Sequence, residues 1–490
     1  MCECRIRITS MLNRELVVRI LKNASEVRWL FVIVATCLGL VTMFVVPPLW
    51  GFDETSHFSR VYLLSRGNFL SAQKAEMPLS YNQVSRYATA NIGQPKQPNI
   101  FLRKDIDNAS EYHKLLGMKF SKQTQQAINP AGYPFFAYPL SVVFVAIAAP
   151  FNLSIGINTI LARLAGLVTF VLLVYMALYV LNKNNFKKTQ WIFFVVSLLP
   201  TTLFQAATLS ADTVVNGLSI LFIALLLVII EKQSKEVTKH KVNKWYLASL
   251  LTIAVILPLI KVNYIFLSLG TLLISNQLLG GKTLGILSKT LLAIVPTLLS
   301  LFLTFGMTPS GAGSHQVSPR PDGLPIDPKG QILFIIGHPL SLIWAFVKSL
   351  IYYGDTYLKE MTTVLAWNYV ELPIIFTLFC VTLILLAAFY SKDEFRYIKR
   401  YLNIMTLFLL CGIGSIFLAL YIEFTPVGKI LIDGVQGRYL IPFIIPAALA
   451  LAVNLDIGIL IRERLMRNIM TISIGALLIG SILYYAKATY

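Results

Sequence analysis

The chain has 490 residues, 56% of them hydrophobic and only 13% charged, with a mean hydropathy of +0.69. Soluble proteins carry roughly a quarter charged residues. Composition therefore excludes a soluble globular class, and the formal charge of +19 points to short basic cytoplasmic loops rather than to nucleic acid.

In chain order, residues 1–28 carry Arg5, Arg7, Arg14, Arg19, Lys22 and Arg28, and form a cytoplasmic N-terminal segment. Cys2-Glu3-Cys4 is a weak metal signal with no partner pair, and Cys37, Cys380 and Cys411 lie inside apolar runs, so no disulfide framework is implied. The first apolar run, from Trp29 to about Pro47, is long enough to span. It lacks a small-residue cleavage site, so it is expected to remain as span one, running outward. A large outer loop, 49–156, follows, and within it "FSRVYLLSRGNFL" can lie as an amphipathic helix on the membrane surface. Tyr133 to Pro150 and Leu153 to Leu181 are both apolar. The next loop, "NKNNFKKTQ", is basic and belongs inside, where two crossings would not put it. The shorter segment, with Pro134, Pro139 and Pro150, is therefore predicted to be re-entrant or interfacial. Span two is then the run around Ile157 to Leu181.

Span three runs from Trp191 to about Thr208 and span four returns to Glu231. Spans five and six straddle "PLIKVNY", and span seven ends near Met307. Residues 308–370 form a second outer loop, in which "HPLSLIWAFVKSLIYYGDTYLKEM" is half polar and surface-lying. Residues 371–490 hold the C-terminal helices: span eight from Leu372, span nine to Tyr421, span ten from Tyr439, and a last span that leaves the C-terminus outside. The chain thus reads as an all-α polytopic membrane protein with about eleven transmembrane helices. No inverted repeat of the transporter kind is visible.

Ionisable residues gather at the outer ends of these spans: Asp53, Glu54, His57, Arg60, Asp212, Lys261, Glu423, Lys429, Asp433 and Arg438. Each has an ordinary explanation. Asp53 could cap a helix beginning at Glu54. Glu54 and His57, three apart, share one helical face, which suits a metal but also an exposed pair. Lys261 and Arg438 could be interfacial anchors. Their convergence on one face favours chemistry. Carboxylates serve as bases and cations bind an anion, as a lipid-linked phosphosugar requires. A divalent metal held by Asp53, Glu54 and His57 could assist the departing phosphate, although nothing in the residues demands one.

The stretch "PPLWGFDETSHFSR" resembles the proline-led D-E-x-x-H-x-x-R segment of a bacterial family of predicted membrane proteins of unknown function, grouped with the GT-C glycosyltransferases. "INPAGYPFFAYPLSVV", "TLSADTVVNGLSILFIALLL" and "PLIKVNYIFLSL" are similar to further blocks, and "TPVGKILIDGVQGRYLIPFIIP" is the most specific. Gly132-Tyr133-Pro134 stands where the family usually has a double proline. The resemblance implies a GT-C-like module over 29–307, with juxtamembrane helices in the first outer loop, in a bacterial cell membrane. It also implies a general base or metal ligand just after span one, at Asp53 with Glu54 beside it.

The expected activity is inverting transfer of a sugar from a polyprenyl-phosphate donor to a glycan acceptor at the cell surface. Asp53, Glu54 and His57 would be catalytic, and Lys261, Arg438 and Arg60 would hold the donor phosphate. A transporter, flippase or polymerase for a lipid-linked saccharide is the alternative.

Overall fold

The computed structural model describes residues 26–69, 75–92, 106–127, 131–235, 242–307, 325–366, 370–455 and 457–489. Most of the basic N-terminal segment, with Cys2 and Cys4, and the Pro/Gly-rich stretch 308–324 lie outside the described residues. Helices dominate. They are α1 Val27–Val45, α2 Glu54–Ser65, α3 Leu79–Ile92, α4 Ile106–Gly117, α5 Pro139–Ala148, α6 Ile155–Lys183, α7 Gln190–Ser197, α8 Pro200–Ala207 and α9 Ala211–Ser234. There follow α10 Lys244–Ile260, α11 Ile265–Ser268, α12 Lys282–Met307, α13 Pro328–Gly337, α14 Pro339–Thr362, α15 Ile374–Ser391, α16 Lys399–Glu423, α17 Ile444–Asn454 and α18 Glu463–Thr489.

Among the described residues eight helices are long and apolar enough to cross a membrane, and up to ten if each bent pair counts as one span. Proline sets several of the ends, because it offers no N–H and cannot continue a ladder. Pro47 and Pro48 stop α1, and Pro200 breaks α7 from α8 with a bend of 62°. The central helix is α9. Its spanning window is 94% buried, and it packs chiefly against α6 and α10.

Polar contacts fix which helix ends lie together. The α1 and α6 helices run antiparallel. At one end Asn182 donates to Glu26, and at the other Arg163 reaches the carbonyls of Met43 and Val46. Lys261 meets Asp212 at the same end of α9, called here the site end. At the other end of α9, Gln233 donates to the Leu273 carbonyl at 2.7 Å and accepts from Ser275 N at 2.9 Å.

The chain between Lys261 and Ser275 therefore travels the length of α9. It does so with the short α11 flanked by 3₁₀ turns, Val262–Tyr264 and Leu269–Leu273, which rise faster per residue than an α-helix. This is the segment expected as span six, and it is too irregular to be recognised by helix length. Counting it, α10 and the α7–α8 pair as crossings gives about eleven.

The α5 helix does not traverse the bundle. Tyr138, at its start, touches His57, and Ser141 Oγ donates to the Ala162 carbonyl at 2.8 Å. The turn after it meets the first loop, where Ile155 N donates to the Met118 carbonyl at 2.9 Å. The chain on either side of it thus lies at the site end. The first loop is itself folded. Strands β1 Glu76–Pro78 and β2 Thr124–Gln126 pair antiparallel, and Phe58 stacks on Tyr81 at 5.3 Å. Helices α13 and α14 meet at 108° and leave Leu333, Ile336, Trp344 and Ile351 exposed.

Candidate functional site

The site begins where α1 stops. The loop from Pro47 to Asp53 folds tightly over the helix end, with Trp50 N donating to the Pro47 carbonyl at 3.1 Å. Gly51 is pressed against α8, so that a Cβ there would lie 2.6 Å from Thr208 Cβ. Glu54 anchors the loop. Its two oxygens receive Arg163 Nε and Nη2, each at 2.6 Å, Gly51 N at 2.8 Å and Leu209 N at 2.9 Å. Arg163 spends its remaining donors on the carbonyls of Met43, Val46 and Pro47. Both side chains are fully buried. An isolated charge would be costly there, and the pair persists because every lone pair and proton is used.

Asp53 faces the other way. It occupies the N-cap position of α2 with a left-handed φ of 51°, and its side chain makes no cap hydrogen bond. Such a φ is uncommon outside glycine, although aspartate tolerates it better than most residues. Asp53 Oδ2 accepts from Arg438 Nη2 at 2.6 Å, and its side chain is 38% exposed against 5% for Arg438. The capping explanation does not describe this residue.

Arg438 is delivered by the 3₁₀ turn Gly437–Phe443 that leads into α17. Its guanidinium sits 4.5 Å above the Phe52 ring and 5.3 Å from the Tyr439 ring. Nε donates to Gln436 Oε1 at 2.6 Å, while Nη1 is buried and has no hydrogen-bond partner. Lys261 shares the same aromatic neighbour, with Nζ 4.9 Å from the Tyr439 ring and 5.5 Å from the Tyr133 ring. Its ion-pair partner is Asp212. Gln205 Nε2 also donates to Asp212 Oδ2, at 3.3 Å. Two ion pairs, Asp53–Arg438 and Asp212–Lys261, therefore flank one tyrosine.

His57 borders the pairs. Its Nδ1 lies 2.5 Å from the Tyr138 hydroxyl and its ring stacks on Tyr133 at 5.6 Å. Burial pushes its pKa down from 6.5 to about 4. Asp53 and Asp212 oppose the shift, and Lys261 and Arg438 add to it. His57 is neutral at pH 7. Burial likewise raises Tyr138 well above the usual phenol value, so its hydroxyl keeps its proton.

Of the residues expected from the sequence, Asp53, His57, Lys261 and Arg438 come together. Glu54 lies behind them, locked to Arg163. Arg60, expected on the phosphate, points away. It is fully buried and donates to the carbonyls of Tyr133 at 2.7 Å, Asn68 at 3.2 Å and Phe69 at 2.9 Å, tying the first loop to α2. Lys429 and Asp433 pair with each other at 2.7 Å.

Glu54 cannot share a divalent cation with Asp53 and His57, because both its oxygens are already taken by Arg163 and by the Gly51 and Leu209 N–H groups. Among the described residues no group of three His, Cys, Asp or Glu side chains is placed to hold a metal ion. Sequence reading missed Arg163 as the partner of Glu54. The available signal was an arginine inside the apolar run Ile157 to Leu181, which needs a partner in a membrane.

No curated protein matches the chain. Among solved structures it is similar to ArnT from Cupriavidus metallidurans bound to undecaprenyl phosphate, at 11% identity and a TM-score of 0.40, over 94% of this chain and 76% of that one. A likeness of that degree decides nothing about the chemistry. The decisive match is at the level of sequence: residues 37–447 fit a single family model, and the chain belongs to the predicted membrane protein family DUF2142.

Proposed function

We propose that this chain is an inverting membrane glycosyltransferase of GT-C type, moving a sugar from a polyprenyl-phosphate donor to a cell-surface glycan on the outer face of a bacterial cell membrane. The observation that carries the reading is the buried, unpartnered Nη1 of Arg438, beside a half-exposed carboxylate and a second cation. A buried donor without an acceptor costs about 1–3 kcal/mol, which a phosphate oxygen would relieve with a charge-assisted bond.

The arrangement can run the reaction with its own side chains. Arg438 and Lys261 hold the donor phosphate, with the polyprenyl tail between spans. Asp53 accepts the proton of the acceptor hydroxyl. That oxygen bonds to the anomeric carbon from the face opposite the phosphate. The bond from the anomeric carbon to the phosphate oxygen breaks, and its electron pair leaves with the lipid phosphate. Neutral His57 orients the acceptor side, while Glu54 and Arg60 hold the loop. No step is routed through a metal. The outer side is favoured because the basic loops gather at the far end of the bundle, where Lys188 pairs with Asp393 at 3.0 Å and Lys235 lies 5.5 Å from the Tyr397 ring.

Membranes containing the chain are to be incubated with a panel of radiolabelled polyprenyl-phosphate sugars. Label entering a polymer is the expected result. Leaflet-to-leaflet movement of a lipid-linked saccharide, with no transfer from any donor, would replace the transferase by a transporter.

A further inference from the structure

We infer that Glu360, on the otherwise unassigned helix α14, is a positioning residue for Arg438. The inference rests on the reading of Arg438 as a phosphate ligand. The α14 helix is amphipathic, and near its C-terminal end it presents Tyr357 and Glu360 to the turn that carries Arg438. Both side chains are buried, whereas Ile343, Trp344, Val347, Ile351 and Tyr352 of the same helix are exposed.

Two contacts tie α14 to that turn. The Gly437 N–H donates to Glu360 Oε2. The Gly437 Cα lies so close to the helix that a Cβ would overlap the Tyr357 carbonyl oxygen. Gly437 is thus required by a close approach of two backbones, and Glu360 satisfies the one peptide donor caught between them. Arg438 is the next residue. Its side chain leaves that peptide for Gln436, Phe52 and Asp53, so the direction of the guanidinium depends on where α14 holds the 436–438 backbone. A carboxylate accepting from a buried backbone N–H makes a stronger bond than a neutral acceptor, which suits a strut. The role of Glu360 is exerted through Arg438.

The test reads Arg438 directly. Purified full-length chain is treated with phenylglyoxal and arginine modification is followed by mass spectrometry. Arg438 should be slow in the wild type and in Glu360→Gln, which keeps an acceptor oxygen. In Glu360→Ala it should be modified several-fold faster, while Arg163 stays unmodified in all three. In the transfer assay Glu360→Ala should raise the half-saturating donor concentration about tenfold, with little change in rate at saturation. It should add nothing further in an Arg438→Ala background.

Unchanged Arg438 reactivity in Glu360→Ala overturns the inference. So does Arg163 becoming reactive together with Arg438, since that reports general loosening. A wild type inactive with every donor would count against the transferase, and the labelling result would still decide the strut.

Discussion

Asp53 and Glu54 are neighbours in sequence with opposite fates. Glu54 turns inward to Arg163 and Asp53 turns to Arg438 and the opening. Asp53→Asn keeps an oxygen for Arg438 and removes no cap, because the side chain caps nothing. It should lower thermal stability in detergent, because Arg438 loses its counter-charge, yet leave a folded chain, and lower transfer by about 10²–10⁴-fold, the usual contribution of a general base. A stable, correctly inserted Asn variant with near wild-type turnover would remove Asp53 from the chemistry. His57 gives a second test. Its folded value of about 4 lies below the ordinary 6.5, so on acidification the unfolded chain takes up the proton first. Stability is complete above pH 6.5 and falls as the pH drops towards 4, by up to about 1.4 kcal/mol per unit. His57→Gln should flatten that part of the stability curve, and an unchanged acid slope would assign the loss to another group. Asp53, Lys261 and Arg438 were legible in the sequence because a charge at the end of an apolar run stands out. The pairing of Glu54 with Arg163, 109 positions away, was not. Nor were the backbone carbonyls that occupy Arg60, since a carbonyl leaves no mark in sequence.

At the level of elements, charge parity located what hydropathy alone could not. The α5 helix is apolar and begins on a proline, yet the chain on either side of it meets the first loop. Single cysteines replacing Gln125 and Asn152, both exposed, should be modified by an impermeant reagent from the same side in a background lacking the native cysteines. Modification from opposite sides would add a crossing and overturn the arrangement. Helix length misleads at the segment from Val262 to Leu273, where a crossing is built from 3₁₀ turns and one short helix. The sequence shows an apolar run there, but the choice of 3₁₀ over α comes from packing. Gly270 lies so close to α9 that a Cβ would sit 2.7 Å from a Leu226 methyl carbon, and that approach is a tertiary fact. The helical stretch expected from His338 is α14, but neither α13 before it nor the contact of α14 with Gly437 was legible.

Over the whole molecule, the ion pairs of the candidate site occupy one end and the paired basic residues the other, so the bundle is asymmetric in charge. Topology reporters inserted after Lys235 and after Asp393 should face one side, with a reporter at Gln125 facing the opposite one. A common side for all three would invert the proposed placement of the site. The Arg163–Glu54 pair adds a constraint on how the chain is made. An arginine within a span costs about 2.5–3.5 kcal/mol on insertion scales when it lies at the centre of the helix. Here its counter-charge arrives from the loop after span one rather than from a neighbouring helix face. As the chain leaves the ribosome, α6 enters the bilayer with Arg163 unneutralised unless Glu54 is already waiting, and Glu54 is placed only when the turn at Pro47 has closed. Seating of the second span is therefore expected to depend on the turn after the first. Glu54→Gln should lower the amount of inserted chain recovered from membranes, and unchanged recovery would remove the pair from assembly.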